Sequence, residues 1–163
     1  MEIKKKVLVF NPSRCIGCRL CEHYCSMIHF GASNPSKSRI RILRDHKSQI
    51  DIAIYCHQCT DPPCIEACEY EALSQDPETG AILVDDENCV GCRKCITECP
   101  YAVPAINPDT KKILICNLCE GEPKCVEICP ENAIQYLEID QGENIYKSNY
   151  IEKVMNKVIR EEE

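Results

Sequence analysis

The chain has 163 residues, no Trp, two Phe, ten Pro and sixteen Cys, with a formal charge of −7. That length makes one compact unit or two small ones, and so few bulky side chains exclude a fold resting on a large apolar core. Cysteine at roughly one residue in ten, well above ordinary usage, must organise the molecule instead.

Lys4, Lys5 and Lys6 lead into Lys6–Phe10, a short Val-rich strand. Its apolar part is too short for a signal-peptide core and ends at Asn11-Pro12. With no twin-arginine pair and no apolar segment of membrane-spanning length, the expected setting is cytoplasmic, where clustered cysteines are metal ligands more often than disulfides. The first cysteine run follows, C-I-G-C-R-L-C-E-H-Y-C, with Cys15, Cys18, Cys21 and Cys25. Cys21 and Cys25 are four apart and share a face on a short helix. Arg39–Leu43 and Ile50–Tyr55 both alternate polar and apolar, which predicts a hairpin with one face exposed.

The second run, C-H-Q-C-T-D-P-P-C-I-E-A-C, places Cys56, Cys59, Cys64 and Cys68. A helical turn through Ala72, a turn at Asp76–Gly80 and a strand Ala81–Val84 are expected after it. The third, C-V-G-C-R-K-C-I-T-E-C-P, places Cys89, Cys92, Cys95 and Cys99. Pro100, Pro104 and Pro108 then deny the connection any long helix. A strand Lys111–Ile115 precedes the fourth run, with Cys116, Cys119, Cys125 and Cys129 before Pro130, and Ala133–Ile139 is a further strand candidate. Near the end, Ile151, Val154, Met155, Val158 and Ile159 form the apolar stripe of an amphipathic helix, capped by Asn149 with Glu152. The stripe suits either the protein's own core or a partner.

Runs one and three are near copies, and runs two and four share a longer middle loop. Three Cys at two-residue spacing and a fourth after three more are the bacterial ferredoxin pattern, in which the fourth thiolate reaches a different [4Fe–4S] cluster. Gly17 and Gly91 are expected to let the loop approach its cube closely, since they lack a β-carbon. Structural zinc sites need paired Cys-x2-Cys from two places and no third Cys two residues on, so zinc and disulfides fit poorly. The spacing predicts four [4Fe–4S] clusters, with all sixteen positions filled. Which run completes which is open on spacing, since one with two and three with four serves as well as any other arrangement.

His23, His29, His46 and His57 are spare for ligation. His57 lies inside a binding loop, either tuning its cluster or simply contributing a loop amide. Residues 1–50 hold ten Lys/Arg against three Asp/Glu, and the remainder nine against 23. The split predicts a basic face, or merely solvated surface. The acidic balance and few aromatics argue against nucleic acid. No nucleotide-binding glycine loop and no nucleophile–base set is present, so the chain reads as a non-catalytic electron carrier.

These four runs resemble the polyferredoxin electron-transfer subunits of molybdenum and tungsten oxidoreductases, over about residues 5–140. The stretch C-S-M-I-H-F-G-A-S-N-P-S-K-S-R-I-R-I from Cys25 is similar to the small subunits that accompany tungsten-containing aldehyde oxidoreductases. The resemblance implies an α+β fold of two ferredoxin-like two-cluster modules, the second inserted in the first, with small β-hairpins, short helices and the C-terminal amphipathic helix. The outer module would be 1–50 and 105–145, the inserted one 51–104, and the helical tail 146–163. It further implies four ligand sets: Cys15, Cys18 and Cys21 with Cys129; Cys116, Cys119 and Cys125 with Cys25; Cys56, Cys59 and Cys64 with Cys99; and Cys89, Cys92 and Cys95 with Cys68. The implied partners are a large catalytic tungsto- or molybdopterin subunit, aldehyde-oxidising, and a soluble acceptor such as ferredoxin. A free polyferredoxin, or a subunit of a hydrogenase, formate or CO dehydrogenase complex, is the alternative reading, and a zinc-stabilised interaction module a remote one.

Overall fold

The computed structural model describes residues 6–47 and 49–138. The expected C-terminal helix, with Asn149 and its apolar stripe, lies outside the described residues. Among those described, the strands form four two-stranded antiparallel sheets, each too small to be stable by itself. The first and last strands pair: β1 (Lys6–Phe10) runs against β8 (Ile134–Glu138), with Lys6 opposite Glu138 and Phe10 opposite Ile134. The others are local hairpins, β2 (Arg41–Asp45) with β3 (Ile50–Ile54), β4 (Leu73–Gln75) with β5 (Ile82–Val84), and β6 (Ala105–Ile106) with β7 (Ile113–Leu114).

Four helices carry the third cysteine of each run, the first of them also Cys25: α1 (Leu20–Phe30), α2 (Pro63–Glu66), α3 (Lys94–Thr97) and α4 (Lys124–Ile128). α1 packs on α4, and α2 on α3. Cys21 and Cys25 do share the buried face of α1, with Glu22 and Ser26. The helix stops where Gly31 turns left-handed (φ 66°) and gives its N–H to the Met27 carbonyl at 2.8 Å. α2 is shorter than expected. It ends at Glu66, and the chain then turns left-handed at Glu71 (φ 51°) before entering β4. After α3 the connection holds only the two-residue strand β6, as three prolines require.

The alternating segments form the expected hairpin, its first strand starting two residues later than expected, since Ser38 and Ile40 lock the approach with their own hydrogen bonds. Its buried face carries Ile42, Ala53 and Asp51, whereas Ile50, Ile52 and Ile54 are half-buried and Leu43 is exposed. Asp51 is tolerated inside because Arg44, directly opposite, binds both its oxygens at 2.8 Å. Apolar side chains such as Leu8, Phe10, Ile40, Ile82 and Leu118 complete the core, and buried cysteines are interleaved among them. Among the described residues no helix is long and apolar enough to cross a membrane.

Candidate metal centres

The residue before the second Cys is left-handed in all four runs: Gly17 (φ 65°), Gln58 (φ 51°), Gly91 (φ 71°) and Leu118 (φ 55°). That turn aims a backbone N–H at the first sulfur. Gly17 N–H reaches Cys15 Sγ at 3.4 Å, and the N–H groups of Gln58 and Leu118 serve Cys56 and Cys116. Loops of this kind favour anionic ligands. Glycine adopts the turn freely, whereas Gln58 and Leu118 each bear ~1–2 kcal/mol of strain. Burial offsets it: Leu118 is 0% exposed. The Gln58 amide donates to the Cys116 carbonyl at 3.0 Å and accepts the Ile82 N–H at 2.9 Å.

The room that the two glycines leave is not directed at the metal side alone. Beside Gly17 it is filled by the Arg44 guanidinium and the Asp51 carboxylate, and a β-carbon on Gly91 would sit 2.5 Å from the Lys111 carbonyl oxygen. Both glycines thus also allow neighbouring loops to approach closely. The last cysteines also receive amides: Cys25 Sγ from Arg39 N–H at 3.4 Å, Cys68 from Ala72 and Cys129 from Ala133, both at 3.3 Å.

Two cavities draw cysteines from different runs. One, floored by Phe10, Ile42 and Ile134, brings Cys15, Cys18 and Cys21 together with Cys129. The other, beside Tyr70 and Ile113, brings Cys89, Cys92 and Cys95 together with Cys68. Cys116, Cys119 and Cys125 lie within electrostatic reach of Cys25, and Cys59 and Cys64 within reach of Cys99. Three further proximities link these groups: Cys21 with Cys125, Cys56 with Cys116, and Cys64 with Cys95. Among the sixteen, Cys18 and Cys92 are exposed and the others buried or half-buried.

Burial pushes Cys21, Cys56 and Cys116 up to about 12 and Cys95 to about 11, and Cys125 also upward. Such thiols are neutral by themselves, so a group that binds them as thiolates must bring positive charge and release protons. Amide donors at the sulfurs and four thiols from two runs around one cavity fit iron–sulfur clusters. Among the described residues no three Cys, His, Asp or Glu side chains converge on a single-ion site.

Residues 49–139 match the family model for the 4Fe-4S dicluster domain, and residues 12–28 match a 4Fe-4S binding domain. The chain belongs to the 4Fe-4S dicluster family. This dicluster chain is 42% identical over 142 residues to the aliphatic sulfonate oxidoreductase polyferredoxin-like subunit of Pyrococcus furiosus, covering 86% of this chain and 82% of the relative. It is 28% identical to the thiosulfate reductase electron transfer subunit PhsB of Salmonella typhi, over 84% and 78% of the two chains. Among solved structures, the active-site complex BamBC of benzoyl coenzyme A reductase with zinc contains a chain of similar fold, with a TM-score of 0.51 at 24% identity, covering 95% of this chain and 97% of that one.

Side chains that the spacing did not single out surround the dicluster chain's sulfurs. His29 Nε2 lies 3.5 Å from Cys119 Sγ. The available signal was its position, four after Cys25 and eight after Cys21, on the same helical face. His57 instead packs between the rings of Tyr55 and Tyr101, at 5.2 and 4.4 Å. Among the described residues, several cations of the first fifty positions are tied into the fold. Arg41 holds the Ala102 and Val103 carbonyls at 3.0 and 2.9 Å, Lys37 pairs with Asp109, and Arg19 donates to the Ile42 carbonyl at 2.9 Å.

Proposed function

We propose that the dicluster chain is a non-catalytic electron-transfer subunit with four [4Fe–4S] clusters, held by the four cross-run ligand sets. Cys15, Cys18, Cys21 and Cys129 make the first; Cys25, Cys116, Cys119 and Cys125 the second; Cys56, Cys59, Cys64 and Cys99 the third; Cys68, Cys89, Cys92 and Cys95 the fourth. The observation that carries this reading is the pair of cavities in which three cysteines of one run meet the fourth of another. Antiparallel pairing of β1 with β8 and the packing of α1 on α4 and α2 on α3 favour the outer and inserted modules over sequential pairing.

When bound, such clusters supply one-electron storage at potentials set by charge, hydrogen bonds and exposure. The chain's own residues do the rest. Left-handed loops present amides to the sulfurs, and Leu118, Ile82 and Ile113 keep water from the middle of the molecule. The electrostatic links between the four sets run in one line, through Cys21 and Cys125, then Cys116 and Cys56, then Cys64 and Cys95. Its two ends carry the exposed Cys18 and Cys92. That order suits a carrier with a donor at one end and an acceptor at the other.

The partner at the Cys18 end is a large tungsto- or molybdopterin oxidoreductase subunit that oxidises aldehydes, and the acceptor is a ferredoxin or similar carrier in the cytoplasm. Support for the pterin partner comes from the stretch that begins at Cys25. A second reading, a catalytic subunit acting on aliphatic sulfonates, is favoured by the name of the Pyrococcus furiosus relative. Anaerobic purification of the tagged chain from its own cells tests the proposal. It predicts a stable stoichiometric complex with a subunit containing pterin and tungsten or molybdenum, and the substrate that reduces that complex decides between the two readings. A chain that purifies alone contradicts the subunit role and favours a free polyferredoxin.

A further inference from the structure

The surroundings of two of the cysteine sets differ in one respect that bears on potential. Around Cys15 and Cys21, charges come in pairs: Arg44 with Asp51, and Arg19 with the buried Glu22 at 3.5 Å. Around Cys119, Lys124 is likewise paired, with Glu122 and Glu127, but a second cation, Arg39, is not. The Arg39 guanidinium lies over the Phe30 ring at 6.0 Å, and its buried Nε has no hydrogen-bond partner. Among the described residues Arg39 forms no ion pair, and its charge acts on both Cys116 and Cys119. Its backbone N–H donates to Cys25 Sγ at 3.4 Å, and His29 Nε2 stands 3.5 Å from Cys119 Sγ.

Each of these features stabilises negative charge on the sulfurs, and reduction adds one negative charge. We propose that His29 and Arg39 make the site of Cys25, Cys116, Cys119 and Cys125 the highest-potential of the four, the place where an electron rests between partners. His29 acts as a positioning residue, donating Nε2–H to Cys119, and Arg39 supplies an unbalanced positive charge. The step concerned is the gain of one electron, supplied by dithionite in the test, with no bond broken. A resting site one position in from the Cys18 end would hold the first electron of a two-electron oxidation while the second is delivered.

This inference rests on the ligand sets proposed above, and a redox titration of the holoprotein followed by electron paramagnetic resonance separates the two. Four reducible clusters are expected in the unaltered chain. In His29→Leu the wave that reduces first should move about 59 mV lower, a tenfold weaker hold on one electron, with the other three unmoved. His29→Gln, which keeps a donor, should restore most of the shift. Arg39→Gln, which keeps the backbone amide to Cys25, should lower the same wave. If four waves are present and neither His29→Leu nor Arg39→Gln moves the first, the inference is overturned and the ligand sets stand. Fewer than four clusters in the unaltered chain would overturn both.

Discussion

Gly31 and Gly91 have nearly the same backbone, φ 66° and 71°, but different surroundings. Nothing lies within 4 Å of a β-carbon at Gly31, whereas one at Gly91 meets the Lys111 carbonyl at 2.5 Å. Gly31→Ala should therefore cost only the left-handed strain, ~1–2 kcal/mol. Gly91→Ala should cost clearly more, because a backbone oxygen cannot swing aside. Thermal bleaching of the holoprotein compares them, and equal losses would refute the steric contribution. The cysteine spacing marked all sixteen Cys as candidate ligands. It did not show that Gln58 and Leu118 take the same left-handed turn as the glycines, since propensity argues against it and only burial makes it tolerable. Nor did it mark His29, whose meaning depends on a sulfur 90 residues away in sequence.

At the scale of elements, the β2–β3 hairpin was readable from alternation, but its buried face was not. Period two gives two faces, and the pairing of Arg44 with Asp51 is what lets a carboxylate go inside. The hydrogen bond from Arg44 holds the Asp51 carboxyl below the ordinary carboxylate range. A depressed folded-state value gives stability that is present above the unfolded-state pKa and is lost as pH falls through the folded one. In Arg44→Ala the same carboxylate is left buried and unpaired, its pKa is raised by desolvation, and protonation then relieves it. Acidification from neutral pH should thus accelerate cluster bleaching in the unaltered chain more steeply than in Arg44→Ala, although the variant is the less stable at pH 7. Parallel pH profiles would remove the pair from the account. The helices of runs two to four were legible only as turns, because prolines and left-handed residues limit each to four or five residues.

For the whole molecule, spacing left two ways of pairing the runs, and chain topology weighs between them. β1 joins β8 across the length of the chain, so the first and fourth runs are neighbours although about a hundred residues separate them. The β1–β8 partnership depends on long-range contacts that no local pattern encodes. With a core this small, the cross-run clusters would themselves be the principal staples, and metal-free chain should be largely unfolded. The most direct test is the iron, acid-labile sulfide and zinc content of the anaerobically purified chain, read with its Mössbauer spectrum before and after dithionite. One iron and one sulfide for every cysteine are expected, all in reducible [4Fe–4S] form. Zinc in place of iron, or iron well below one per cysteine in a folded chain, would contradict this expectation.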